Sequence, residues 1–95
     1  EGNLVWGIGM VLYDDLPVAD SQVAAGNFDA APIPRIQAIP RMQVLLIDEG
    51  EAPGGAGETA IVAAGAAISN AIRAATGVRL TRFPVRHADL RRSSP

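Results

Sequence analysis

Residues 3–13 constrain this 95-residue chain more than any other stretch. Leu4, Ile8, Val11 and Leu12 recur at helical spacing, and Val5, Trp6 and Met10 make the other faces apolar too. That spacing predicts a helix. A helix apolar nearly all round must be covered on most sides. Gly7 and Gly9 each cost it roughly 1 kcal/mol relative to alanine. They make sense where another backbone packs against them. A chain of this length supports one domain and a modest core, so little of it is left to enclose such a helix.

The remaining elements follow in order. Asp14 and Asp15, then Leu16 and Pro17, end the first helix. Residues 18–26 predict a hairpin or edge strand. Pro32, Pro34 and Pro40 exclude a regular helix over 27–40 and predict an extended crossing. Residues 41–48 carry the run Val44, Leu45, Leu46, Ile47, the clearest strand of the chain. Its unbroken apolar character predicts burial on both faces. Asp48, Glu49 and Glu51 then form an acidic loop, read as a solvated turn because three sequence-local carboxylates do not by themselves converge on a metal. A second helix is predicted over 59–76. Ile61, Gly65, Ile68 and Ile72 share one face, and Gly77 stops it. A short extended finish over 78–85 and a flexible basic tail over 86–95 complete the chain. His87 is expected to be solvated. The fold class is α+β: two buried helices with one or two short strands.

Composition excludes several functions. Hydrophobic residues make up 48% of the chain, so it is not disordered. There is no cysteine, which removes disulfides and thiolate metal ligands. Nine of the ten acids lie at or before Glu58, and six of the eight arginines at or after Arg73. No aromatic stacking platform accompanies those arginines, so a solvated or subunit-facing tail is expected, not nucleic-acid binding. The longest apolar run, 60–68, is too short and too rich in Ala and Gly for a membrane span. The chain begins with Glu1 and Gly2 beside a hydrophobic segment, as a piece of a longer protein does.

The chemistry concentrates at Gly54, Gly55, Ala56, Gly57 and Glu58. Three glycines in four residues allow positive φ and close approach to a flat ligand. Glu58 falls at the mouth of the second helix, where unpaired N–H groups favour an anion. The same pattern is that of a plain tight turn with a glutamate partnering the dipole, and the flanks must decide. A phosphate-binding P-loop needs Lys after its last glycine, and Glu58 stands there. A relaxed dinucleotide fingerprint fits Gly55, Gly57 and Ala60. It lacks a ribose-binding acid, since no acid lies between Glu58 and Asp89. No Gly-x-Ser-x-Gly is present for a serine hydrolase.

The flanks carry a resemblance. Residues 53–58, 66–72, 74–80 and Phe83-Pro84 form an ordered set. Upstream stand Glu1-Gly2, Gly7-Ile8-Gly9 and Leu12-Tyr13, then Asn27-Phe28-Asp29, Pro32-Ile33-Pro34-Arg35 and Ile39-Pro40. Together these resemble the C-terminal end of the molybdopterin-binding large subunit in the xanthine oxidase family of molybdenum hydroxylases. The bacterial isoquinoline 1-oxidoreductase and aldehyde dehydrogenase type is the most similar. The resemblance covers 1–85, which it implies to be the C-terminal part of a molybdopterin-binding domain.

It implies an oxidoreductase that hydroxylates an aldehyde or N-heterocycle carbon with oxygen from water. The implied cofactor is molybdenum held by molybdopterin, in bacteria usually the cytosine dinucleotide form, with iron–sulfur clusters on a partner subunit. Glu58 matches the catalytic glutamate, and Gly55, Ala56 and Gly57 match the cofactor-binding loop. No residue here matches a metal ligand. Thr59 stands where proline is common, so the helix start is expected to shift by a residue. Ala31 stands where an aromatic is usual, so looser packing is expected beneath the crossing. The family's other cofactor contacts precede Glu1, so this chain alone is expected to be inactive. A non-catalytic segment or binding module with the same packing pattern is the alternative.

Overall fold

A computed structural model describes residues 1–91. Helix α1 spans Gly2–Leu12 and helix α2 spans Ile61–Thr76. Between them lies a hairpin of two short antiparallel strands, β1 (Val18–Ala19) and β2 (Gln22–Val23). Single 3-10 turns follow at Phe28–Ala30, Ile36–Ala38 and His87–Leu90. The architecture is α+β, as expected.

Helix α1 lies on α2 because glycine removes the side chain that would hold them apart. A Cβ placed on Gly7 would sit 2.6 Å from the Ala64 Cβ, closer than two carbons can pack. On Gly9 it would meet the Pro34 ring at 3.3 Å, so the proline-rich crossing covers that side. Phe83 lies over Gly65 in the same way, at 3.3 Å. Val11, 3% exposed, is the buried hydrophobic side chain at the centre of this packing. Its carbonyl, one of the unpaired group at a helix end, accepts the Val85 N–H at 2.8 Å. On α2, Ile61, Ala64, Gly65, Ile68 and Ile72 turn toward the packed side and are half-buried. Gly77, at φ 78°, ends α2 with its N–H on the Arg73 carbonyl at 2.8 Å.

The hairpin is closed by Asp20 and Ser21, both at positive φ, which is the two-residue turn that matches strand twist. Asp89 caps the last 3-10 turn by accepting the Arg86 N–H at 2.9 Å, and its other oxygen accepts from the Arg82 guanidinium at 3.0 Å. The Arg86 guanidinium in turn reaches the Asp15 carboxylate, beyond the end of α1. Of the segment 86–95, residues 92–95 lie outside the described residues.

Two expectations need correction. The run Val44 to Ile47 forms no strand, and its side chains are 48–93% exposed. A strand exists only where a neighbour satisfies its backbone groups. Among the described residues none lies alongside this run, the two paired strands being those of the hairpin. Burial of α1 is likewise one-sided: Gly7, Gly9 and Val11 are covered, while Trp6 and Met10 are about half exposed. The helices cover the face they share, and among the described residues the Pro34 crossing and Phe83 add cover at its edges. Beneath the crossing, a cavity of about 290 Å³ lies against Ala31, Leu16, Ile33 and the Asp14–Asp15 pair.

Candidate functional site

The glycine loop is exposed and enters α2 through a tight turn. Ala60 already has helical geometry (φ −78°, ψ −20°), and the Ile61 N–H donates to the Glu58 carbonyl at 3.2 Å. Glu58 therefore stands one turn ahead of α2. Gly54, Gly55 and Gly57 are not at positive φ; among the described glycines only Gly50 and Gly77 are. Regular turn geometry carries the chain into the helix, so left-handed backbone is not what these glycines supply. They supply bareness. A Cβ on any of the three would meet nothing within 4 Å. Among the described residues no neighbour requires glycine at these positions.

One side chain from the far end of the sequence shapes this loop. The Asn3 Nδ2 donates to the Ala56 carbonyl at 2.9 Å, and the Asn3 Oδ1 accepts the Ile61 N–H at 2.9 Å. Ala60, at the cap position of α2, has no side-chain acceptor to offer, so Asn3 caps α2 from α1. Asn3 was not a sequence-level site candidate. The available signal was weak: an asparagine, a poor helix former, in the first turn of an otherwise apolar helix. Its partners lie 53 and 58 residues away.

Glu58 lies between the two tethered points and is exposed. Gly55, Ala56 and Gly57, its immediate sequence neighbours, belong to the same exposed loop. Beside them, residues 46–54 wrap an open concavity of about 760 Å³ that reaches Gly54. Within it the Asp48 carboxylate accepts the Gly50 N–H at 2.9 Å, closing a local turn. Among the described residues no group of three His, Cys, Asp or Glu side chains converges as a metal site. His87 is exposed and distant in sequence from the loop. The loop thus presents bare, exposed backbone with the Glu58 carboxylate at its helix-side end.

No protein-family model matches the chain, and no solved structure matches it. Curated bacterial proteins do. The membrane-bound aldehyde dehydrogenase (pyrroloquinoline-quinone) of Gluconacetobacter polyoxogenes is 37% identical over 97% of the chain. The isoquinoline 1-oxidoreductase subunit beta of Brevundimonas diminuta is 31% identical over all of it. The aldehyde oxidoreductase molybdenum-binding subunit PaoC of Escherichia coli K12 is 30% identical over 88%. The chain spans 12%, 12% and 13% of their respective lengths. The first relative is named for a quinone and the third for molybdenum. On identities of 30–37% over nearly its whole length, the chain belongs to the xanthine oxidase family of molybdenum hydroxylases, matching a C-terminal segment of the large subunit.

Proposed function

We propose that Glu58 is the general base of a molybdenum-dependent hydroxylation of an aldehyde or N-heterocycle carbon. The supporting observation is an exposed carboxylate on a bare glycine loop whose two ends are tied by a single side chain. Gly55, Ala56 and Gly57 offer backbone to the metal end of the cofactor. The remainder of the molybdopterin-binding subunit provides its other contacts. When bound, molybdopterin, in its cytosine dinucleotide form, would supply a metal able to activate water and accept an electron pair, with iron–sulfur clusters on a small partner subunit as the outlet. Glu58 would accept one proton as the water-derived oxygen bonds to the substrate carbon; the C–H bond of that carbon breaks, its electron pair going to the bound cofactor and the second proton to solvent. Its exposure lets that carboxylate reach a group outside this chain.

The test uses the full subunit assembled with its iron–sulfur partner. Glutamine keeps the shape of Glu58 but does not accept a proton. General-base catalysis is typically worth 10²–10⁴-fold, so Glu58→Gln is expected to slow reduction by substrate by at least about a hundredfold. Molybdenum content and substrate binding stay near parental, and Glu51→Gln changes little. Parental reduction by Glu58→Gln, or a damaged Glu51→Gln, overturns the assignment.

The name of the Gluconacetobacter relative supports a second reading, a quinone-dependent aldehyde oxidation. Metal and quinone content separate the two. Molybdenum in proportion to the chain, with no extractable quinone, supports the first.

A further inference from the structure

The glycine loop has little to hold it. Its residues are exposed, and a Cβ at Gly54, Gly55 or Gly57 meets no neighbour. Among the described residues, the long-range hydrogen bonds to 54–61 are the two made by Asn3. We propose that Asn3 is the positioning residue for Glu58: its amide fixes residues 56–61 and thereby aims the carboxylate. The functional part of this rests on the reading of Glu58 as the base.

The argument is one of donors and acceptors. Ala56 turns its carbonyl toward Asn3 and Ile61 its N–H, so the Asn3 amide must set Nδ2 on the first and Oδ1 on the second. A single planar group then sets the separation of two points five residues apart, with Glu58 between them. Aspartate accepts from Ile61 but has no proton for Ala56 when ionised. Serine is too short to span both, and alanine makes neither bond. The amide is itself placed by rigid packing. Asn3 stands one turn before Gly7, where α1 approaches Ala64 on α2 as closely as a glycine allows. The docking of the two helices is thus transmitted to the loop through one side chain.

Misplacing a reacting group by about 1 Å costs on the order of a hundredfold in rate. The test again uses the full subunit with its iron–sulfur partner, with Asn3→Ala, Asn3→Asp and Glu58→Gln in parallel. Amide hydrogen exchange is read over 54–76, with and without bound cofactor. Molybdenum content, limiting rate of reduction by substrate and substrate affinity are also read. Asn3→Ala is expected to speed exchange over 56–61 and leave the later turns of α2 unchanged. The limiting rate should fall about 10–100-fold, at near-parental affinity and molybdenum content. Asn3→Asp is expected to keep the Ile61 amide protected while the rate still falls. Unchanged exchange over 56–61 in Asn3→Ala overturns the clamp. So does a rate loss that merely tracks lost molybdenum or exchange throughout α2, because that marks a general packing role. If Glu58→Gln reacts at the parental rate, the base reading falls by itself. Exchange over 56–61 then decides for or against the clamp.

Discussion

At the scale of single residues, two glycines on one helix differ in how far they tolerate a methyl group. A methyl on Gly7 meets the Ala64 methyl at 2.6 Å, and neither carbon belongs to a flexible side chain. The helices must part, at a cost typical of overpacking, about 1–3 kcal/mol. The helix propensity gained, up to about 1 kcal/mol, offsets only part of it. At Gly9 the neighbour is a proline ring in an irregular segment, 3.3 Å away, which needs to yield only slightly. Gly7→Ala is therefore expected to lower the melting temperature of the full subunit and to speed exchange at the start of α2. Gly9→Ala should be near neutral. Equal melting temperatures for the two variants would remove the close-approach argument. A second residue-scale effect belongs to Asp89. The Arg86 backbone N–H, and then the Arg82 guanidinium, hold its carboxyl below the ordinary value of 3.8. A lowered folded value means the capping contribution is fully present above pH 3.8 and is lost as pH falls through that lowered value. The 3-10 turn at His87–Leu90 is thus expected to loosen as pH falls below 3.8. Asp89→Asn should abolish that acid transition, as followed by the Arg86 amide resonance. A transition that persists in Asp89→Asn places its origin elsewhere.

At the scale of elements, the loop before α2 separates what a side chain does to the fold from what it does to function. Gly57 is exposed, with open space around it and no positive φ to strain a replacement. Gly57→Val should change stability within the roughly 0.5 kcal/mol of ordinary surface substitutions. In the full subunit, molybdenum content and turnover are nevertheless expected to collapse, with exchange in α2 unaltered. Normal molybdenum and turnover would show that nothing approaches this backbone closely. The loop and α2 are legible in the sequence because their signals are local. The face through Ile61, Gly65, Ile68 and Ile72 reads off the spacing, and Gly77 reads as a stop. The three loop glycines permit positive φ without requiring it, and none of them adopts it. The strand expected at Val44 to Ile47 fails for a different reason. Apolar character records that a segment is to be covered, but pairing requires a second segment, which sequence pattern does not locate. The Asn3 clamp is illegible for the same reason: each of its bonds joins points more than fifty residues apart.

At the scale of the whole molecule, the chain is too open for its size. Its radius of gyration is 16.5 Å, where a compact domain of this length has about 12 Å. It exposes 8116 Å², against about 5200 Å² for a compact monomer of the same mass. The excess includes large apolar side chains: Leu46 at 93% and Ile47 at 85%, with Phe28 and Ile36 comparably bare. Surface of that character drives association when no partner covers it. The isolated chain is therefore expected to self-associate at micromolar concentration and to lack a sharp unfolding transition. Leu46→Asp and Ile47→Asp should reduce the association of the isolated chain, because each places a charge in the uncovered run. In the full subunit the same substitutions should instead lower the yield of assembled enzyme, as expected if that run is covered by the rest of the subunit. The opposing result is specific. A dilute monomer by sedimentation, with coincident circular dichroism and calorimetric transitions of matching enthalpy, is a cooperative two-state fold. The shared face of α1 and α2 would then suffice for the chain to stand alone, and the exposed run would need no partner to account for it.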